Sequence, residues 1–190
     1  MLRDAWDVYD EITGGKRFAV NIPENLRDVL DNKTRGYSFM DDNHLTETPH
    51  EFLSFMVENW KLATVDSAGR VSWNVPQIQR FFVKMAKFNQ LLSVLCYILP
   101  TIANRVTQFI DVKIRNDIRA RNLHVVHNEM FFLTAYHKMT NQSGLDTCMP
   151  AFVPKQLQTL LLEYLGGCRP TEQMLSRIAH GEQGDGYYFT

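Results

Sequence analysis

The stretch from Val75 to Leu99 limits the fold of this chain more than any other. Ile78, Phe81, Phe82, Met85, Phe88, Leu92, Leu95, Cys96 and Leu99 recur there at intervals of three and four, which places them along one side of an α-helix. Pro76 suits the first turn of that helix, and Pro100 ends or kinks it. A stripe of this length has to be covered by other elements, so the spacing predicts a long core helix from Pro76 to Leu99. The longest apolar run inside it, Leu91 to Leu99, is interrupted by Ser93 and falls short of the ~18–20 residues of a bilayer span.

The rest of the chain can supply the cover. With 190 residues, 45% hydrophobic and 22% charged, it can bury roughly 70% of the surface it exposes when unfolded. Disorder, collagen and coiled coil are excluded on composition. The net charge of −1 excludes a strongly basic or acidic protein, so any nucleic-acid contact has to come from a local patch. Cys96, Cys148 and Cys168 stand apart without a C-x-x-C pair, which encodes neither a disulfide framework nor a zinc ribbon and favours a reducing compartment. The N-terminus carries Asp4 and Asp7 where a targeting peptide has cations. A nuclear or cytoplasmic protein, neither secreted nor in a membrane, is expected.

Around the long helix the punctuation is uneven. Residues 1–47 read as irregular, with one short helix after Pro23 between Gly14-Gly15 and Gly36, and an aromatic-bearing loop from Arg35 to Asp42. Thr48-Pro49-His50-Glu51 is a capping box with Pro at the first helical position, opening a helix to about Lys61. Residues 65–70 turn the chain, and Ile102, Val106 and Phe109 continue a turn or two of helix after Pro100. From Asn122 to Tyr136 the residues are β-branched and aromatic around His127-Asn128-Glu129, which predicts a hairpin. Met149 to Val153 predicts a third strand, on the sheet edge because Pro150 cannot donate to a ladder. Pro154 opens a helix lined by Leu157, Leu160, Leu161, Tyr164 and Leu165 and stopped by Gly166-Gly167; Pro170 to Ala179 forms another, and residues 181–190 a flexible tail. The expected fold is α+β and mostly helical, with helices packed around a small three-stranded antiparallel sheet.

Few catalytic signatures survive inspection. Gly14-Gly15-Lys16 lacks the Gly at position 10 and the Ser or Thr at 17 of a phosphate loop, and no nucleophile elbow, zinc-protease or dinucleotide motif occurs. His124, His127 and His137 are close in sequence, but His124 and His127, three apart in a strand context, point to opposite faces and do not easily share a metal; solvated strand or turn histidines are the expectation. No metal or cofactor is assigned. The segment from Asp111 to Arg121 is the basic patch. Lys113, Arg115, Arg119 and Arg121 face Asp111 and Asp117 there, a surplus of two positive charges suited to phosphate contact.

The order of elements resembles the N-terminal half of a tyrosine recombinase catalytic domain: a helix, Arg105 in a short second helix, a hairpin, Lys138 in the turn before the third strand, then a leucine-rich helix. A nearer resemblance is to a recombinase-like region of large fungal proteins, many of them RecQ-type helicases linked to telomeres and transposons. It rests on Gly36-Tyr37-Ser38-Phe39, Asn104-Arg105-Val106-Thr107-Gln108, Arg121-Asn122-Leu123 leading to Thr134-Ala135-Tyr136-His137-Lys138, and Pro154 to Arg169-Pro170. It makes residues 48–180 a recombinase-like core and implies that Arg105 and Lys138 are vestigial catalytic residues on DNA phosphate. A working recombinase also needs a His-x-x-Arg box and a nucleophilic Tyr. Arg177 and His180 stand in the wrong order, and Tyr187 and Tyr188 lie too near the end of the sequence for that role. The expected function is therefore DNA binding without strand transfer, in a module of a larger mobile-element or helicase protein. The rival expectation is a helical protein-interaction module, in which Arg105 makes a structural salt bridge and exposed aromatics meet a partner chain or a second copy.

Overall fold

In the computed structural model, residues 1–17, 25–45, 50–102, 112–136 and 147–180 are described. They form an α+β chain with a two-stranded and a three-stranded antiparallel sheet. It divides into two compact units: residues 1–21, 45–92 and 160–185, and residues 22–44, 93–159 and 186–190.

The first unit begins with helix α1, Leu2–Thr13, in a segment whose sequence reads as irregular. Ala5, Val8, Tyr9 and Ile12 are buried along one side, a helical spacing overlooked because acids fall between them. Gly14 ends α1 with φ 62°, the left-handed conformation that glycine adopts at least cost. Helix α3, His50–Asn59, matches the expected second helix, although Thr48 and Pro49 of its capping box lie outside the described residues. The turn over 65–70 proves to be the tip of a hairpin, with β1 (Ala63–Val65) paired to β2 (Val71–Trp73); Asp66 holds the turn by accepting from the Ala68 and Arg70 amides at 2.9 Å each.

Helix α4 runs from Val75 to Ile98. Ile78, Phe81, Met85, Phe88, Leu92, Leu95 and Cys96 are buried as the spacing predicts, Phe82 is half-buried and Leu99 exposed. By length and composition alone α4 could cross a bilayer, but its stripe is buried in protein. Phe88 stands between Tyr9 and Tyr164, with ring centroids 5.8 and 5.7 Å away. The Tyr9 hydroxyl donates to Glu163 at 2.6 Å, which satisfies a carboxylate that burial would otherwise penalise.

The second unit contains β3 (Leu123–Val126), β4 (Glu129–Tyr136) and β5 (Thr147–Phe152) in that order across the sheet. His127 and Asn128 close the β3–β4 hairpin with φ 49° and 65°, the backbone of a two-residue turn that matches strand twist. Pro150 pairs with Leu133 on the edge strand β5. The short helix expected after Pro23 does not occur over the described residues 25–30. Instead the Leu26 amide donates to Asn128 Oδ1 at 2.6 Å and the Arg27 amide to Asn43 Oδ1 at 2.8 Å, so tertiary partners take the groups that a helix would use. The loop from Arg35 to Asp42 contains one helical turn, α2 (Phe39–Asp42), capped by Ser38. The segment at Ile102, Val106 and Phe109 lies outside the described residues from 103 on.

Helix α5, Lys155–Glu163, follows Pro154 as expected, but Gly166-Gly167 does not stop it. Residues Tyr164–Cys168 form a π-helical turn that passes directly into α6, Arg169–His180. All five are buried, and Thr171 Oγ1 donates to the Gly167 carbonyl at 3.1 Å. The apolar burial of Tyr164, Leu165 and Cys168 outweighs a glycine penalty of about 1 kcal/mol each.

Candidate nucleic-acid interface

The basic segment lies in the second unit, where it forms a closed loop. Val112, Ile114 and Asn116 are buried and alternate with Lys113 and Arg115, which are partly accessible, and with Asp117, which is exposed. At the neck, the amides of Asn122 and Leu123 donate to the Lys113 carbonyl at 2.9 and 3.2 Å, and the Leu133 amide donates to the Asn122 carbonyl at 2.7 Å. These bonds tie the loop to the β3–β4 ladder.

Asn116 is the central clamp. Its Nδ2 donates to the carbonyls of Asn32 and Thr34 at 2.7 and 3.1 Å, its Oδ1 accepts from the Arg121 amide at 3.0 Å, and its main chain exchanges bonds with Gly36 and Tyr37. A buried amide with this many partners fixes the backbone on both sides.

Beneath the loop, Arg121 pairs with Asp28, and both side chains are essentially inaccessible, at 1% and 0% exposed. The guanidinium also donates to the Val29 carbonyl at 3.0 Å and lies over the Tyr37 ring, 4.6 Å from its centroid. Asp28 accepts from the Val125 amide at 3.0 Å and faces His124 Nδ1 at 3.6 Å. Burial by itself raises the pKa of the Asp28 carboxyl; the facing His124 ring, the Val125 amide and the Arg121 charge outweigh it and hold the group below its ordinary value. Tyr37 donates to Asp42 at 2.6 Å, and burial, reinforced by that bond, pushes its pKa up to about 12.

The expected site residues separate into four groups. Arg121 does not reach a surface: its charge is spent inside the fold, so the expectation that it tracks a DNA backbone is corrected to a structural role. Arg115 and Lys113 are partly accessible. Arg115 forms a forked pair with Asp41 at 2.6 and 2.7 Å and donates to the Gly36 carbonyl at 3.0 Å; the Lys113 ammonium is 3.5 Å from Asp117. Arg119 is exposed at the loop tip, where the Asp117 amide donates to its carbonyl at 2.9 Å. Arg105 and Lys138, like His137, lie outside the described residues. His124 is buried and stacked on Phe131 with ring centroids 5.6 Å apart, not solvated as expected, whereas His127 is an exposed turn residue.

Four residues of this region escaped the sequence reading. Asp28 looks like an acid in the first turn of a helix, Tyr37 like a loop aromatic, and Asn116 like a polar spacer. Ile118 stands out locally only as an apolar residue within a charged run. No protein-family model matches the chain, and no solved structure matches it.

Proposed function

We propose that the chain is a DNA-contacting module that grips the phosphate backbone without cutting it. The observation that carries this reading is the loop tip, where Arg119 is exposed and Arg35 and Lys113 both approach the Asp117 carboxylate, on a frame stiffened by Asn116 and the Arg121–Asp28 pair. Exposed ion pairs are worth little, about 0–1 kcal/mol, so phosphate can compete at small cost for Arg35, whose side chain is 80% exposed. The resemblance to recombinase-like regions supports the same ligand class and adds Arg105 and Lys138 as further phosphate contacts in a larger mobile-element or helicase protein.

The test is fluorescence anisotropy on a labelled duplex across a salt series. The expected affinity is that of non-specific contact, in the ~10⁻⁴–10⁻⁶ M range, weakening as salt rises. Arg119→Ala should weaken binding on every sequence and lower the salt slope by about one.

A second reading, a protein-interaction module, is favoured by one observation: Val83 on α4 is 73% exposed, and Val94 and Ile98 on the same helix are also exposed. Failure of wild type to bind duplex DNA even at low ionic strength would leave this reading in possession.

A further inference from the structure

Ile118 is the most exposed large apolar side chain among the described residues, at 90%. It occupies the apex of the loop that Lys113 and Asn122 close at the neck and Asn116 and Arg121 close one step higher. The last bond below it runs from the Asp117 amide to the Arg119 carbonyl. The side chain is thus held outward by a backbone whose base is buried. Around it stand Arg119, next in sequence, and Asp117, which Arg35 and Lys113 approach to 3.3 and 3.5 Å.

An apolar tip with exposed arginines nearby, Arg119 beside it and Arg35 paired to the neighbouring Asp117, fits a ligand that offers negative charge at its rim and an apolar interior behind it. Duplex DNA has this arrangement, with phosphates lining a minor groove about 6 Å wide and stacked bases at its floor. A single branched side chain on a tight loop can enter such a groove and part a base step, while flanking cations hold the phosphates. We infer that Ile118 is a wedge that inserts at a base step of duplex DNA from the minor groove and kinks it, with Arg119 and Arg35 on the adjoining phosphates. The inference rests on the DNA-contacting reading and adds to it the mode of contact. Pyrimidine–purine steps unstack most easily, so a TA step is the preferred place of entry.

The experiment uses the full chain and a short duplex with 2-aminopurine in place of adenine at a central TA step and a dye pair at its ends. Wild type should raise the 2-aminopurine fluorescence at least twofold and shorten the end-to-end distance. Ile118→Ala should bind within about threefold of wild type yet lose both signals. Arg119→Ala should bind more weakly but regain the 2-aminopurine signal at saturation. Thermal unfolding of both variants should match wild type, since both side chains are exposed. If wild type binds and neither signal appears, or if Ile118→Ala keeps them, the wedge is overturned and backbone contact stands. If wild type does not bind at low salt, both readings fall. Self-association abolished by Ile118→Ala would mark a protein-contact face and overturn the wedge as well.

Discussion

Among single residues, Asp28 carries more of the second unit than its place in a polar stretch suggests. Its carboxylate faces Arg121, accepts from Val125 and lies within 3.6 Å of His124, all inside the fold. Breaking a buried pair from one side leaves a charge without a counter-charge, which typically costs about 3–5 kcal/mol. Asp28→Asn should therefore lower the unfolding free energy by roughly 3 kcal/mol or more at neutral pH, measured by urea denaturation. The sign with pH follows from the lowered pKa of Asp28. The carboxyl contributes stability above its unfolded value of 3.8, and the contribution is lost as pH falls through the lower folded value. The gap between wild type and Asp28→Asn should stay constant from about pH 5 upward and narrow below 3.8. A gap that keeps its full size down to pH 2 would show that the pair contributes through packing alone.

At the level of elements, α4 gives the plainest test. Phe81 is fully buried on its stripe, with the Trp60 ring edge-on at 5.4 Å between centroids, so Phe81→Asp combines a lost aromatic with a buried charge and should cost ~3 kcal/mol or more. Unchanged thermal stability of that variant would remove α4 from the core. The elements legible in the sequence were those whose burial is periodic and whose ends are marked: α4 between Pro76 and Pro100, the β3–β4 hairpin around His127-Asn128, β5 with its edge Pro150, and α5 after Pro154. Those missed depend on distant partners. Helix α1 hides its four buried apolar positions among acids, Leu26 and Arg27 give their amides to Asn128 and Asn43, and Gly166-Gly167 continues as a π-helical turn because neighbouring side chains are buried. The site divides in the same way. The cationic character of residues 113–121 is local and readable, but the removal of Arg121 from the surface is set by Asp28, 93 positions away, and no local pattern encodes that pairing.

For the whole molecule, the question is whether contact with DNA phosphate implies chemistry on it. A net charge of −1 gives no general attraction to a polyanion, so the proposed binding depends on local cations, those of the loop tip together with Arg105 and Lys138. Phosphoryl transfer by a recombinase route needs more than binding: a nucleophile in line with the phosphorus, a general acid for the leaving oxygen, and at least two cations on the equatorial oxygens. The sequence nominates Arg105 and Lys138, while Arg121, which could have served as a second guanidinium, is enclosed with Asp28. With Lys138 as the general acid, Arg105 alone does not supply the two cations needed on the equatorial oxygens, and no matching motif assigns a tyrosine as nucleophile. Incubation of the chain with a nicked suicide duplex should therefore yield no denaturation-resistant adduct, and Arg105→Ala should weaken binding while changing nothing in that assay. An adduct that disappears on Tyr187→Phe or Tyr188→Phe would reverse this conclusion, because it would require the second cation to be supplied by a residue that carries no recognisable spacing in the sequence.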